Sequence, residues 1–216
     1  TCLAGGVSMG VHESQSRFYE NIIGRSLPFV QAIFPKMQEF FPEQLAAVSL
    51  DEFVAYINRA ERSFVRTEAD ELTYPLHIML RYEIEQKLID GSLQVKDLPE
   101  YWRTKFAEYF GITPPTDTLG VLQDVHWSYG NFGYFPTYAL GSAIASQLFA
   151  AMNRDFDVYQ SLSCGTTAKV NEWLREHVHK YGSGKYPDEI LRIATGESFN
   201  PDYYIDYLVG KYAGNK

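Results

Sequence analysis

The 216-residue sequence has only two cysteines, Cys2 and Cys164. Two cysteines are too few for a disulfide framework or for a zinc site built from thiolates, so a reducing, cytoplasmic setting is expected. No apolar run approaches the roughly 18 residues that a membrane span needs, and no basic start precedes an apolar stretch, as it would in a secretory signal. The sequence therefore predicts neither a membrane partner nor a secreted, disulfide-stapled scaffold.

Basic residues are also scarce. The 19 Lys and Arg residues are outnumbered by 27 Asp and Glu, which gives a formal net charge of -8 with neutral histidines. Binding to nucleic acid needs a clustered basic face that neutralises phosphates, and here the basic residues are scattered among acids. The sequence therefore argues against a nucleic-acid partner. Hydrophobic residues make up 45% and charged residues 21%, as in an ordinary globular chain, while aromatic residues are plentiful at 15%.

Helix signals run along most of the chain. Residues 7–24 form a candidate helix closed by Gly24, and Ser49 followed by Glu52 has the spacing of a capping box. Pro35 is expected to interrupt the apolar helical stretch around it, because proline lacks a backbone N–H. These patterns predict an all-α fold.

One further feature supports this prediction, and another qualifies it. Asp97 with Glu100 has the spacing of a second capping box. The less regular, glycine-containing region near 121–135 could hold a short strand. No repeat occurs and no linker is long enough to mark a domain boundary, so residues 1–216 are predicted to form a single structural unit.

The segment Gly6-Val7-Ser8-Met9-Gly10 matches G-x-S-x-G, the nucleophile elbow. In that motif a strained turn between a strand and a helix lifts the serine hydroxyl above a parallel sheet. Nothing downstream alternates strand and helix, so a glycine-flanked approach to a helix is favoured. A serine hydrolase that uses Ser8 stays an alternative, as does a non-catalytic helical accessory or dimerisation module.

Two charged clusters have both a structural and a functional interpretation. Glu13 and Arg17 are spaced i, i+4, which is typical of an ion pair on a solvated helix, and a single carboxylate can hold zinc only as one member of a ligand set. Arg66 lies among acids that suit the start of a helix. An arginine could also bind a substrate carboxylate through two parallel hydrogen bonds. Spacing alone favours the structural interpretation in both cases.

A third cluster indicates a site more strongly. Gln123, Asp124, His126 and Trp127 fall within five positions, just before a tyrosine-rich stretch. A histidine on an apolar background is often a satisfied core residue, but Tyr134 and Tyr138 could donate hydrogen bonds to a developing oxyanion. His77 is most simply a packing residue.

Taken together, these stretches resemble the carboxypeptidase Taq family of thermostable zinc metallocarboxypeptidases. The matching motifs are Val-Ser-Met-Gly-Val-His-Glu-Ser-Gln-Ser-Arg at 7–17, Val-Arg-Thr-Glu-Ala-Asp at 65–70 and Gly-Val-Leu-Gln-Asp-Val-His-Trp at 120–127. The resemblance continues through 132–138 and 194–197. It implies the helical fold that is similar to neurolysin and angiotensin-converting enzyme, and release of C-terminal amino acids from peptides.

The resemblance also implies roles for individual residues. Glu13 would be the third metal ligand, with His12 lining the site beside it. Arg66 would help to hold the terminal carboxylate of the substrate. His126 would stabilise the tetrahedral intermediate, assisted by a tyrosine.

Tyr134 and Tyr138 both match the position of that tyrosine, and the resemblance does not choose between them. The implied cofactor is one zinc or cobalt ion per complete enzyme, which would polarise the scissile carbonyl and lower the pKa of a bound water. The implied partners are peptide substrates and a second copy of the chain in a homodimer.

One departure from the family pattern matters. The family takes two metal ligands and its general base from an H-E-x-x-H helix, and no such sequence occurs in these 216 residues. The chain is therefore expected to be the C-terminal portion of a metallocarboxypeptidase catalytic domain, with the metal-binding helix upstream of Thr1. Alone, it is expected to be inactive.

Overall fold

The computed structural model describes residues 3–214, so Cys2 lies outside the described residues, whereas Cys164 is an exposed free thiol. All regular structure in the described part of the chain is helical, and no strand forms there, which confirms the all-α prediction. Within residues 3–214, no helix is both long and apolar enough to cross a membrane. The α-helices are α1 (Met9–Arg17), α2 (Leu27–Phe40), α3 (Pro42–Leu45), α4 (Leu50–Ile57), α5 (Tyr74–Ile89), α6 (Leu98–Phe110), α7 (Pro136–Asp155), α8 (Val158–Leu162), α9 (Ala168–His177), α10 (Pro187–Thr195) and α11 (Asp202–Tyr212).

Contacts divide the chain into two compact units. Within the described residues, unit 1 comprises 3–58 and 140–214, and unit 2 comprises 59–139. Each unit has a hydrophobic core of its own. The single structural unit predicted over 1–216 stays a prediction.

In unit 1, α1 continues directly into a π-helix over Phe18–Ile23. The helical segment predicted for 7–24 is therefore confirmed in position, but its second half is more widely wound. The π-helix buries Phe18, Ile22 and Ile23, which pack with residues of α7 to α10 in one core. Burying each such side chain stabilises the fold by roughly 1.5–3 kcal/mol.

Two local predictions for unit 1 have opposite outcomes. The capping box at Ser49 and Glu52 is confirmed, because both reciprocal hydrogen bonds form at the start of α4. The interruption at Pro35 is wrong, because α2 runs through it. Pro35 and Gln31 are both exposed, so the carbonyl that loses its helical partner can be hydrated, and the proline ring faces solvent.

In unit 2, α5 and α6 pack around a core that includes Leu80, Ile84, Trp102 and Phe106. The capping box predicted at Asp97 is wrong, because its side chain makes no capping hydrogen bond. A short 3-10 turn over Val95–Asp97 leads into α6, so the backbone at Asp97 is already helical and its carboxylate is not placed to cap.

The strand expected near 121–135 is also wrong. That region contains 3-10 turns over Val121–Gln123 and Trp127–Tyr129. Gly130 and Gly133 both have φ of 76°, a left-handed conformation that ends an extended backbone. The region is a compact loop, and Phe135, which is 1% exposed, anchors its end in unit 2.

Candidate active site

A buried ion network lies at the centre of unit 2. Oδ1 of Asp124 accepts hydrogen bonds from Arg66 at Nε (3.1 Å) and Nη2 (2.7 Å). Oδ2 of the same carboxylate accepts from Nε of Arg81 at 2.6 Å. The side chains are 8% exposed for Arg66, 0% for Arg81 and 10% for Asp124. One carboxylate therefore holds two buried guanidinium groups.

Local structure sets the position of this network. Arg66 begins a 3-10 turn, and its backbone N–H donates to Oε1 of Gln123 at 2.8 Å. The side-chain amide of Gln123 donates in turn to the carbonyl of Phe64 at 3.0 Å, so this side chain joins the two segments. Asp70 accepts backbone hydrogen bonds from Leu72 (2.8 Å) and Thr73 (2.9 Å), which supports the local fold.

Charge is retained throughout the network. Burial alone would raise the pKa of Asp124, but the two arginines outweigh burial and hold this pKa below its ordinary value. Burial lowers the pKa of Arg81 to about 10. Burial also opposes the charge of Arg66, yet pairing with Asp124 raises its pKa overall. At neutral pH Asp124, Arg66 and Arg81 are all ionised, so the two arginines give this network an excess positive charge.

His126 and Tyr138 lie beside the network. Nε2 of His126 and the hydroxyl of Tyr138 are 3.1 Å apart, within hydrogen-bonding distance. The His126 ring lies 4.3 Å from the ring of Phe135 and 5.6 Å from that of Tyr134, measured between centroids. Nδ1 of His126 is 3.7 Å from Oδ1 of Asp124, and no hydrogen bond partner for it exists among the described residues.

Burial lowers the pKa of His126, and the two arginines lower it further, while Asp124 acts in the opposite direction. The imidazole is therefore neutral at pH 7. A neutral imidazole and a phenol have one donatable proton each, and the contact between them uses one, so the other can be donated to an oxygen that gains negative charge.

Arg66 is less accessible than its predicted role suggests. Besides the bonds to Asp124, its Nη1 donates to the hydroxyl of Tyr74 at 3.1 Å, and its guanidinium lies 4.9 Å from the ring centroid of Tyr138. The structure thus places Arg66 in the same unit as His126, Tyr134 and Tyr138, within an ion pair. That it holds a substrate carboxylate stays a prediction.

Glu13 and His12 belong to unit 1. Oε1 of Glu13 accepts from Nε of Arg17 at 3.0 Å, which confirms the i, i+4 pair, and Oε2 accepts from Oγ of Ser16 at 3.0 Å. The Glu13 side chain is 23% exposed and packs on Gly141 of α7. His12 is exposed, and its ring lies against Gly6.

The described residues do not form a complete metal site. A carboxylate such as Glu13 is a suitable donor to a divalent ion, since its hydrogen bonds from Arg17 and Ser16 leave a second lone pair on each oxygen. Within residues 3–214, no three or more His, Cys, Asp and Glu side chains are grouped so that they could hold a metal. This part of the chain supplies one candidate donor.

Ser8 has a structural role in the same unit. Its hydroxyl accepts a hydrogen bond from the backbone N–H of Val11 at 3.2 Å and so caps α1. A nucleophile elbow needs a strand before the serine, and no strand forms in the part of the chain that the structure describes. The favoured interpretation, a glycine-flanked approach to a helix, is confirmed.

Sequence reasoning missed two charged residues of unit 2, Arg81 and Glu85. Both lie on α5, and they are 0% and 7% exposed. With His77, which is also buried, they recur every four residues along one face of the helix. A polar i, i+4, i+8 stripe inside a helix that is otherwise apolar on that face is the signal that could have identified them.

Comparison with known proteins gives consistent results. The family model described as carboxypeptidase Taq (M32) metallopeptidase matches residues 1–212. Carboxypeptidase 1 of Bacillus subtilis is 50% identical over 214 residues, which are 99% of this chain and 43% of that protein. Thermostable carboxypeptidase 1 of Thermus thermophilus is 42% identical over 208 residues, which are 96% of this chain and 41% of that protein.

Solved structures agree. The crystal structure titled BsuCP has a TM-score of 0.94 at 50% identity and covers 99% of this chain and 43% of that chain. The structure of Pyrococcus furiosus carboxypeptidase titled Apo-Mg has a TM-score of 0.95 at 40% identity. It covers 98% of this chain and 43% of that chain. The present chain spans less than half the length of these relatives.

Proposed function

Because the chain belongs to the carboxypeptidase Taq (M32) family of metallopeptidases, we propose that it is part of a metal-dependent carboxypeptidase that releases C-terminal amino acids from peptides. The observation that carries this proposal is the neutral His126 and Tyr138 pair beside a buried, net positive arginine network in unit 2. Such an arrangement suits acyl transfer at a negatively charged chain end.

We assign oxyanion stabilisation to His126 and Tyr138. Their 3.1 Å contact keeps the imidazole and the phenol in a fixed mutual orientation. When Nε2–H of His126 donates to the Tyr138 oxygen, the phenol proton is free to donate to a substrate oxygen that gains charge, whereas the imidazole can donate there only by giving up its contact with Tyr138. This contact favours Tyr138 as the assisting tyrosine. Tyr134, whose ring lies 5.4 Å from that of Tyr138, is assigned to packing at the side of the pair.

Selection of a chain end is assigned to the arginine network. A free C-terminal carboxylate is attracted by the excess positive charge of Arg66 and Arg81 over Asp124, whereas an internal peptide bond is not. Arg66 is proposed as the substrate-binding member of the network. To make a direct contact, the carboxylate would displace the Tyr74 hydroxyl from Nη1 of Arg66.

The metal is proposed to be zinc or cobalt, with Glu13 as one donor and His12 lining the site. The remaining donors are not among the described residues, so the 216-residue chain alone is expected to show little or no peptidase activity. Peptides are the proposed substrates. A homodimer in the cytoplasm is also proposed, with the scarcity of cysteine supporting the location.

A chimera tests these assignments. This chain replaces the aligned 43% of the Bacillus subtilis relative, to which it is 50% identical. In the chimera, His126→Ala should reduce turnover by about 100-fold, as loss of one oxyanion donor does in other hydrolases. Glu13→Ala should remove the metal, measured as metal content per chain. Stoichiometric metal after the Glu13 change would refute the donor assignment.

Two other outcomes would favour the alternatives. A folded, metal-loaded chimera that cleaves no peptide would support a non-catalytic helical module. Cleavage that resists chelators, together with labelling of Ser8 by a fluorophosphonate, would support a serine hydrolase.

A further inference from the structure

A buried carboxylate in unit 2 makes two hydrogen bonds that the proposed reaction does not use. Glu85 of α5 is 7% exposed. Its Oε2 accepts from the indole Nε1–H of Trp127 at 2.8 Å, and its Oε1 accepts from the backbone N–H of Gly133. One side chain therefore joins two points of the loop that follows His126.

These two points are the ends of the segment that joins His126 to Tyr134 in the sequence. Trp127 directly follows His126, and Gly133 directly precedes Tyr134. Within the loop, the N–H of Asn131 donates to the carbonyl of His126 at 2.9 Å, which closes the turn from inside. The two hydrogen bonds to Glu85, here called the clasp, hold the same turn from α5. They fix where the chain leaves His126 and where it returns.

The clasp also acts through packing. The indole of Trp127 meets the ring of Phe135 edge-on at 5.7 Å, and that ring lies 4.3 Å from the His126 ring. A shift of the indole is therefore passed to Phe135 and then to the imidazole. Hydrogen bonds to an ionised acceptor are roughly twice as strong as neutral ones, and a carboxylate is costly to bury unless it is used in this way.

We propose that Glu85 is a positioning residue that holds the 127–133 loop and thereby sets the orientation of His126 toward Tyr138. The proposal rests on the proposed function only for its consequence in catalysis. Its structural content, a dependence of the His126 environment on Glu85, can be measured in the 216-residue chain without any activity.

The experiment compares three variants by NMR of the folded chain. Glu85→Gln removes the charge and keeps the length, Glu85→Asp keeps the charge but is one methylene too short to reach both donors, and Glu83→Gln is the control. Glu83 lies two positions earlier on α5 and accepts a hydrogen bond from the hydroxyl of Tyr109 instead. The readouts are the indole N–H resonance of Trp127 and the ring resonances of His126 across a pH titration.

The groups that face His126 are Asp124, Arg66, Arg81, Glu85 and the tyrosines 134 and 138. Both Glu85 variants should shift the Trp127 indole resonance, speed its exchange with solvent and move the His126 ring resonances, while Glu83→Gln should leave them in place. Unchanged resonances in both Glu85 variants would overturn the proposal. So would a wild-type spectrum in Glu85→Asp beside an altered one in Glu85→Gln, because charge rather than the clasp would then be responsible.

The catalytic consequence is measured separately in the chimera with the Bacillus subtilis relative. Misplacing a catalytic group by about 1 Å can cost on the order of 100-fold in rate, so Glu85→Asp should lower kcat about 10-fold or more and leave KM within about twofold. A raised KM at unchanged kcat would contradict a positioning role. An inactive chimera with Glu85 intact would count against the proposed function, while the NMR result would still decide the clasp.

Discussion

His77 makes the stability of unit 2 dependent on acid. Its side chain is 0% exposed, neither ring nitrogen has a hydrogen bond partner among the described residues, and its ring lies 4.4 Å from that of Phe110. This confirms its predicted role in packing. Burial, reinforced by Arg81 and Arg66, lowers its pKa from 6.5 to about 3. The folded chain therefore excludes a proton that the unfolded chain accepts.

The sign and size of the effect follow from that difference. Above pH 6.5 the imidazole is neutral in both states and costs nothing, whereas below it the unfolded state gains a proton and is favoured. Between pH 7 and pH 5, protonation of His77 in the unfolded state removes about 2 kcal/mol from the free energy of unfolding. The complete loss, reached below the folded pKa, would be about 5 kcal/mol.

Urea unfolding at pH 7 and pH 5, followed by circular dichroism, measures this loss of unfolding free energy. His77→Leu should reduce the loss of unfolding free energy between the two pH values by about 2 kcal/mol relative to wild type. Phe110→Leu is the control, because it alters the packing partner without removing a titrating group. It should lower stability similarly at both pH values. An identical pH 7 to pH 5 loss in wild type and His77→Leu would refute the reasoning.

Two further predictions concern stability. Asp124→Asn leaves both of its buried arginine partners without a counter-charge, so the free energy of unfolding from urea titration should fall by about 3–5 kcal/mol; a change below about 1 kcal/mol would contradict the buried pairing. Gly141→Ala places a methyl group 2.6 Å from Cγ of Glu13 and should cost about 1–3 kcal/mol, seen as a lower Tm. Gly210→Ala, at a helix position where the added methyl group would meet nothing within 4 Å apart from its chain neighbours and the backbone of its own helix, is the control and should raise the Tm. Equal effects of the two alanines would contradict the packing of Glu13 on α7.

What the sequence could predict was local. The capping box at Ser49 depends on residues three positions apart, and the all-α class depends on periodicity within single helices. The motifs identify His126 and two candidate tyrosines, but it is the structure that shows His126 in contact with Tyr138, twelve positions along the chain. The capping box and the helical class required no knowledge of how distant segments pack.

The rest depended on tertiary context. Arg81 and Glu85 belong to a polar stripe on α5, but the stripe does not show what covers it, and packing with the 121–135 region is what buries both side chains. The left-handed glycines 130 and 133 turned an expected strand into a loop. Pro35 is tolerated because its side of α2 is exposed, a fact that the residue pattern did not reveal.

The central claim, that this chain supplies residues of a metal-dependent carboxypeptidase, is tested most directly by product analysis. The chimera with the Bacillus subtilis relative is incubated with one peptide that has either a free or an amidated C-terminus, with and without a chelator, and released amino acids are identified by mass spectrometry. We predict release of the last residue from the free peptide alone, and its loss after chelation. Equal cleavage of the amidated peptide, or cleavage that persists without metal, would contradict the account.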